Sequence, residues 1–134
     1  MSAKFSIKAL DHMVLYVASI EASVAFYTTH LGMAHTSFAP AGKAGEVRHA
    51  LTFGQQKINL HAASSPYAPH ARAPLSSTAD FCLLTDTPVQ EVAAALREGG
   101  GKDGEGAQVV MERTGARGRL RSVYVRDPDG NLVE

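Results

Sequence analysis

His12 is the residue whose chemistry stands out first in this sequence. It lies in the run DHMVLYV, at a position where a buried strand would ordinarily carry valine or isoleucine. An imidazole at such a position either makes a hydrogen bond inside the core or serves in a cleft as a metal ligand or proton carrier. The run alone favours the core histidine, so a functional role for His12 needs support from the rest of the chain.

A second group of reactive side chains lies in the run ERTGARGRLR, residues 112–121. Guanidinium groups at the mouth of a cleft would suit a carboxylate, a phosphate or a glutathione-like anion. The alternative, slightly favoured by the sequence, is a solvated loop. Alternation along the following strand places Ser122, Tyr124 and Arg126 on one face, and we predict that Tyr124 and Arg119 line a pocket. The arginines of this run are Arg113, Arg117, Arg119 and Arg121.

The composition is that of one small domain without net charge. The chain has 134 residues, 45% of them hydrophobic, with 13 basic and 13 acidic side chains. This length suffices for one core and is short for two ordinary domains. The charge balance argues against a nucleic-acid backbone or an anionic membrane as a partner, and no apolar run predicts a membrane span or a signal peptide. We therefore expect a cytoplasmic protein that acts on a small molecule.

Cys82 is the single cysteine of the sequence and lies between apolar neighbours in DFCLLT. One cysteine excludes an intrachain disulfide. The apolar neighbours predict a buried, inert thiol.

The first half of the chain predicts a strand, a helix and three further strands. Alternating apolar residues over 7–17 are typical of a strand that carries His12 on one face. Ser19 is a suitable N-cap for the helix that follows, and Gly32 a suitable stop. Three short strands are then predicted around residues 34–38, 47–53 and 57–62.

The second half repeats this order after a linker rich in proline and serine at 63–77. The run at 79–85 predicts a strand. Thr87 and Gln90 predict a capping box around Pro88 at the start of a helix that ends at Gly99. A glycine-rich loop leads to strands around 108–112, 120–126 and 131–134, with the turn DPDGN before the last.

Two βαβββ units in tandem, offset by roughly 70 residues, account for this pattern. Each unit alone would leave one sheet face uncovered, so we predict that the units pair within one α+β domain, 1–134. The first unit covers about 5–62, the linker 63–77 and the second unit about 78–134. The alternative is an accidental similarity between two α+β halves.

Over nearly its whole length, the sequence resembles the vicinal oxygen chelate superfamily, which includes glyoxalases, bleomycin-resistance proteins and extradiol dioxygenases. The resemblance is carried by LDHMVLYV with the helix SIEASVAFYTTHLGM, by LTFGQQKINLH and above all by SVYVRDPDGNLVE. FGQQKINLH together with ERTGARGRLRSVYVRDPDGNLVE is similar to the small glyoxalase domain-containing proteins. The resemblance implies that the paired units curl a mixed sheet into a half-barrel cleft around a divalent metal, with the helices outside.

The resemblance also implies that the metal ligands lie on the first and last strand of each unit. On the first strands these positions are His12 and, in register with it, Asp80, where the family often has histidine. On the last strands they are Glu134 and, from matching INLH with NLVE, His61. Asn59, on the same face as His61, is a poorer ligand and is expected to line the substrate pocket.

Such a set of imidazoles and carboxylates suits Zn²⁺, Ni²⁺, Co²⁺, Mn²⁺ or Fe²⁺. The metal would polarise a carbonyl or stabilise an enediolate, and Glu134 would serve as ligand or as proton-transferring base. In the superfamily the last strand usually continues past this position, so we expect the natural chain to extend beyond Glu134.

Three functions are compatible with these expectations. The first is a metal-dependent lyase or isomerase of the glyoxalase type, similar to lactoylglutathione lyase, with a small α-oxygenated substrate that is either free or linked to glutathione. The second is an iron-dependent extradiol dioxygenase, which needs two histidines and one carboxylate. The third is a drug-binding resistance protein without catalysis. Because short members of the superfamily often pair two chains, we expect a homodimer.

Overall fold

Two four-stranded sheets and two helices make up the part of the chain that the computed structural model describes, residues 2–99 and 106–134. The glycine-rich loop predicted after Gly99 lies mostly outside these residues. The first sheet contains β1 (His12–Val17), β2 (Ala34–Phe38), β3 (Arg48–Phe53) and β4 (Gln56–Ala62). The second contains β5 (Asp80–Phe81), β6 (Gln108–Thr114), β7 (Leu120–Arg126) and β8 (Leu132–Val133). The helices are α1 (Ile20–Thr29) and α2 (Val89–Glu98).

Both sheets have the same topology. The strand order is β1-β4-β3-β2 in the first sheet and β5-β8-β7-β6 in the second. In each sheet the first and last strands are parallel neighbours, and the other pairs are antiparallel. The predicted α+β class with mixed sheets is therefore confirmed, and the two sheets do not close into a barrel.

The N-terminal strand is shorter than predicted. β1 begins at His12, whereas the apolar alternation predicted a start at residue 7. Its neighbour β4 starts at Gln56, and Lys57 is the residue opposite His12. Residues 7–11 therefore have no strand beside them in sheet one, and Ile7 and Leu10 are exposed.

The two helices begin differently. Ser19 caps α1 as predicted, since its hydroxyl accepts a hydrogen bond from the backbone N–H of Ala22 at 3.1 Å. The capping box predicted for α2 is wrong, because Pro88 itself occupies the N-cap and no side chain caps the helix. Pro88 is extended, with ψ 133°, so the helical backbone begins one residue later than the prediction, at Val89.

One continuous hydrophobic core joins the two halves. It contains buried residues of sheet one, sheet two and both helices. Side chains on the other face of each sheet do not join this core, and we call that face, which lies opposite the helix, the open face. The buried core residues are Leu15, Val17, Tyr27, Met33, Leu51, Ile58, Leu60, Ala93, Leu96, Val123, Val125 and Val133.

The turn DPDGN is a polar junction between the two halves. The Asp127 carboxylate accepts hydrogen bonds from the backbone N–H groups of Asp129 and Asn131, and Gly130 adopts the left-handed backbone that the turn requires, with φ 82°. The buried Asn131 side chain donates to Asp127 and accepts from the N–H of Ala79, next to β5. The buried hydroxyl of Tyr27 in α1 donates to Asp127 at 2.8 Å. The motif therefore does more than set the register of β8, because it ties helix α1 of the first half to the second.

Candidate functional site

The open face of sheet one carries three of the residues that the sequence singled out. In the parallel pair of β1 and β4, His12 lies opposite Lys57, Val14 opposite Asn59, and Tyr16 opposite His61. Leu15, Val17, Ile58 and Leu60 alternate with these residues and are buried in the core. His12, Asn59 and His61 therefore all project from the open face.

The register separates the two predicted histidine ligands along the sheet. His12 and His61 are offset by four residues on neighbouring strands, which corresponds to roughly 13 Å along the strand direction. His12 is partly exposed, and its Nδ1 lies 2.6 Å from the carboxylate of Asp11. The sheet of a single chain thus does not bring the two imidazoles together.

The strand pairing also aligns the two halves more exactly than the sequence did. Asp80 lies opposite Leu132 in sheet two, as His12 lies opposite Lys57 in sheet one. Glu134 lies two residues beyond Leu132, and Asn59 lies two residues beyond Lys57. If His12 corresponds to Asp80, Asn59 therefore corresponds to Glu134. The match of INLH with NLVE placed His61 there instead, which differs by two residues.

Glu134 lies in a cluster of polar side chains on the open face of sheet two. Hydrogen bonds from Ser122 and then from Tyr124 lower the pKa of its carboxyl group, with smaller effects from Cys82 and the charge of Arg113. Tyr124 is buried, and the Arg113 guanidinium lies 5.8 Å from its ring centre. This is the face on which alternation predicted Ser122 and Tyr124. The cluster favours the ionised form of the carboxylate.

The predicted burial of the Cys82 thiol is wrong. Cys82 follows the two-residue strand β5 and is exposed. Desolvation by neighbouring groups and the charge of Glu134 nevertheless raise its pKa, which disfavours the reactive thiolate. The apolar neighbours of Cys82 alternate with it and point to the core, whereas the sulfur lies on the open face. Its environment was therefore predicted wrongly.

Two cavities meet at Cys82. The smaller, of about 140 Å³, is lined by His12, Lys57 and Ile58 of the first half and by Phe81 and Cys82 of the second. The larger, of about 610 Å³, is lined by Cys82 and Glu134 together with residues of α2 and of the segment that follows α1. His12 and Glu134 thus open onto adjoining cavities that share Phe53, Cys82 and Leu83.

Asp80 and Arg119, the remaining predicted site residues, are exposed to solvent. Asp80 begins β5 and is exposed. Arg119 is exposed just before β7, where its carbonyl oxygen accepts a hydrogen bond from the N–H of Gly115 in the β6 to β7 turn. Within residues 2–99 and 106–134, no three histidine, cysteine, aspartate or glutamate side chains are close enough together to hold a metal ion. A complete ligand set is thus not assembled by these residues of one chain.

His61 lies instead in an aromatic and cationic cluster that the sequence did not reveal. The rings of Tyr16 and Tyr67 meet its imidazole edge-on, with centroid separations of 5.7 and 4.9 Å. The Arg48 guanidinium lies 4.1 Å from the centre of the Tyr67 ring. Burial, followed by the charges of Arg48 and His12, lowers the pKa of His61. The alternation of β3 could have predicted Arg48 on the open face. Tyr67 lies in the aperiodic linker, where no sequence pattern predicts its contact with His61.

None of the described helices is long and apolar enough to cross a membrane.

Comparison with known proteins agrees with this architecture. The profile of the Glyoxalase/Bleomycin resistance protein/Dioxygenase superfamily matches residues 9–134. Virulence protein STM3117 of Salmonella typhimurium is 40% identical over 133 residues, 99% of this chain and 86% of that protein. Its crystal structure superposes with a TM-score of 0.76 at 38% identity, covering 96% of this chain and 95% of that one.

Two further proteins extend the comparison. Glyoxalase domain-containing protein RDO1 of Mycosarcoma maydis is 37% identical over 134 residues, 98% of this chain and 69% of that protein. The crystal structure of lactoylglutathione lyase from Agrobacterium tumefaciens superposes with a TM-score of 0.67 at 22% identity, covering 95% of this chain and 91% of that one. The second likeness is one of fold alone.

Proposed function

Because the chain belongs to the glyoxalase, bleomycin resistance protein and dioxygenase superfamily, we propose that it is a metal-dependent lyase or isomerase of the glyoxalase type. Its substrate would be a small α-oxygenated compound, either free or linked to glutathione. The observation that carries the proposal is that Glu134 and His12 line adjoining cavities, which have Phe53, Cys82 and Leu83 in common.

The donor chemistry at these positions fits a divalent metal. The first-strand and last-strand positions offer an imidazole from His12 and carboxylates from Asp80 and Glu134, whereas the amide of Asn59 is a poorer ligand and is left to the substrate pocket. Nitrogen and oxygen donors without thiolate suit Zn²⁺, Ni²⁺, Co²⁺, Mn²⁺ or Fe²⁺. Such an ion, when bound, supplies Lewis-acid polarisation of a substrate oxygen.

The residues around Glu134 favour its role as a ligand. Ser122 and Tyr124 lower its pKa, which favours the charged form that binds a metal. The same lowering weakens it as a general base, which works best with a pKa near the operating pH. We therefore propose Glu134 first as a metal ligand, and as the proton-transferring residue only if the bound metal and substrate alter its environment.

Pairing of two chains would complete this site. The chain exposes 9337 Å², whereas a compact monomer of its mass exposes about 6,800 Å². The excess of exposed surface area is comparable to the area that one subunit buries in an obligate dimer. Exposed apolar side chains on the sheets, such as Phe38, Val110 and Met111, are available for such an interface. We propose that the homodimer brings together ligands that one chain leaves apart.

The dioxygenase alternative is less well supported. It needs two imidazoles and one carboxylate on one ion, and His61 lies four residues along the sheet from His12. A drug-binding protein without a metal would need neither His12 nor Glu134, so the same experiment separates it from the enzyme.

Metal stoichiometry tests the proposal. The purified chain is treated with a chelator, exposed in turn to Zn²⁺, Ni²⁺, Co²⁺, Mn²⁺ and Fe²⁺, and analysed for bound ion. We expect one ion per chain, lost in His12→Ala and Glu134→Gln and retained in the control His70→Ala, whose side chain is exposed and bonded to the backbone of Ala71. Failure of every ion to bind in stoichiometric amount would refute a metal-dependent function.

A further inference from the structure

The cluster around His61 has the properties of a binding site of its own. We call Tyr16, Arg48, Asn59, His61 and Tyr67 the Tyr67 box. Four of them lie on the open face of sheet one, and Tyr67 comes from the linker and lies across them. All five are half-buried. The proposed metal site at His12, Asp80 and Glu134 uses none of them, so the box is free for another role.

Two buried polar atoms of the box have no protein partner. Asn59 Oδ1 and His61 Nδ1 are shielded from solvent and make no hydrogen bond within the described residues. Buried polar groups in native proteins nearly always have a partner, because an unpaired one costs free energy. Asn59 and His61 alternate along β4 and project from the same face, so one small ligand can reach both.

The two atoms need different hydrogen-bond partners. Asn59 Oδ1 is an acceptor and needs a hydroxyl or N–H donor. His61 Nδ1, when it carries the ring proton, donates to an anionic oxygen. Charged groups around the box favour an anion: Arg48 and Lys57 lie on the open face, and Glu46, bonded to Arg48 at 3.1 Å, is the carboxylate beside them.

We propose that the Tyr67 box binds the hydroxycarboxylate group of a small organic acid. The ligand hydroxyl donates to Asn59, the carboxylate accepts from His61, and Arg48 offsets its charge. The Tyr67 ring covers the site and shifts to admit the ligand. This inference rests on the proposed function for the reacting centre, because the box would hold the part of the substrate remote from His12.

Three matched probes test this binding on the purified full chain. Mandelate carries both groups, phenylacetate lacks the hydroxyl, and mandelamide lacks the charge. Binding is followed by NMR through the ring protons of His61, which are assigned by their disappearance in His61→Phe. We expect saturable shifts with mandelate, and about tenfold weaker binding for each of the other two probes.

Two variants separate the contributions of Asn59 and Arg48 to mandelate binding. Asn59→Leu should remove the advantage of mandelate over phenylacetate, and Arg48→Met should weaken both carboxylates by about tenfold. Arg72→Met, an exposed linker residue, is the control and should change neither. If Asn59→Leu melts early in circular dichroism, Asn59→Asp, which keeps the shape and repels the carboxylate, replaces it and should weaken mandelate binding by at least as much.

The outcomes distinguish this site from the metal site. Mandelate binding that persists after chelation and depends on Arg48 supports the box, whether or not a metal binds at His12. Binding that a chelator abolishes would place mandelate on the metal and overturn the inference while leaving the proposed function intact. Equal affinity for all three probes, or no shift of the His61 ring, would overturn it as well.

Discussion

The hydrogen bond from Tyr27 to Asp127 gives the sharpest prediction about stability. Tyr27→Phe removes one buried hydroxyl that lies 2.8 Å from a buried carboxylate and leaves the ring in place. A hydrogen bond to a charged group contributes ~1.5–3 kcal/mol, and Asp127 keeps its bonds to Asn131. We therefore expect the free energy of unfolding to fall by about 2 kcal/mol and the melting temperature to fall by about 8 °C.

Urea unfolding followed by far-UV circular dichroism measures this loss. The control Tyr16→Phe removes the same atom from a half-buried ring on the open face and should cost under about 0.5 kcal/mol. A double-mutant cycle with Asp127→Asn should show a coupling of about 1 kcal/mol or more. If Tyr27→Phe unfolds within about 0.5 kcal/mol of the wild type, or if the cycle shows no coupling, the turn is not the junction that we describe.

Three further predictions concern the site and the assembly. The folded-state pKa of His61 lies below its ordinary value. The stability that this shift contributes is therefore present above about pH 6.5 and is lost as the pH falls towards the folded pKa. Urea unfolding at pH 7.5 and 5.5 should show this loss of stability, and the loss should be smaller in His61→Phe. Since desolvation and then the charge of Glu134 raise the pKa of Cys82, iodoacetamide should alkylate Cys82 slowly at pH 7.5 and faster in Glu134→Gln. An unchanged rate would contradict the contact between Cys82 and Glu134. Light scattering should give about twice the 14.2 kDa of one chain, and a monomer mass would remove the homodimer from the proposal.

Much of the fold follows from local patterns in the sequence. The bounds of β2 and β7 agree with the prediction, since alternation and turn residues fix short strands that have neighbours on both sides or a hairpin partner. The start of β1 was missed, because apolar alternation over residues 7–11 does not reveal that β4 offers no partner there. Pro88 shifted the start of α2 by one residue, a detail of backbone geometry that the capping pattern did not specify.

The site was predicted less completely than the fold, for three physical reasons. Alternation fixes the face of a strand but not its register, so His61 was matched with Glu134 where the pairing aligns Asn59. The environment of Cys82 depends on which face of a two-residue strand is open. The contact of Tyr67 with His61 joins an aperiodic linker to a strand, and no periodic pattern encodes it.

The metal content of the wild-type chain and of Glu134→Gln is the most direct test of the central claim, that the open faces hold a divalent ion through His12 and Glu134. After chelation and repletion, elemental analysis should find one ion per wild-type chain and almost none in Glu134→Gln, while circular dichroism shows both to be folded. An equal ion content in the two proteins would contradict the assignment of Glu134, and absence of any stoichiometric ion in the wild type would contradict the metal-dependent function itself.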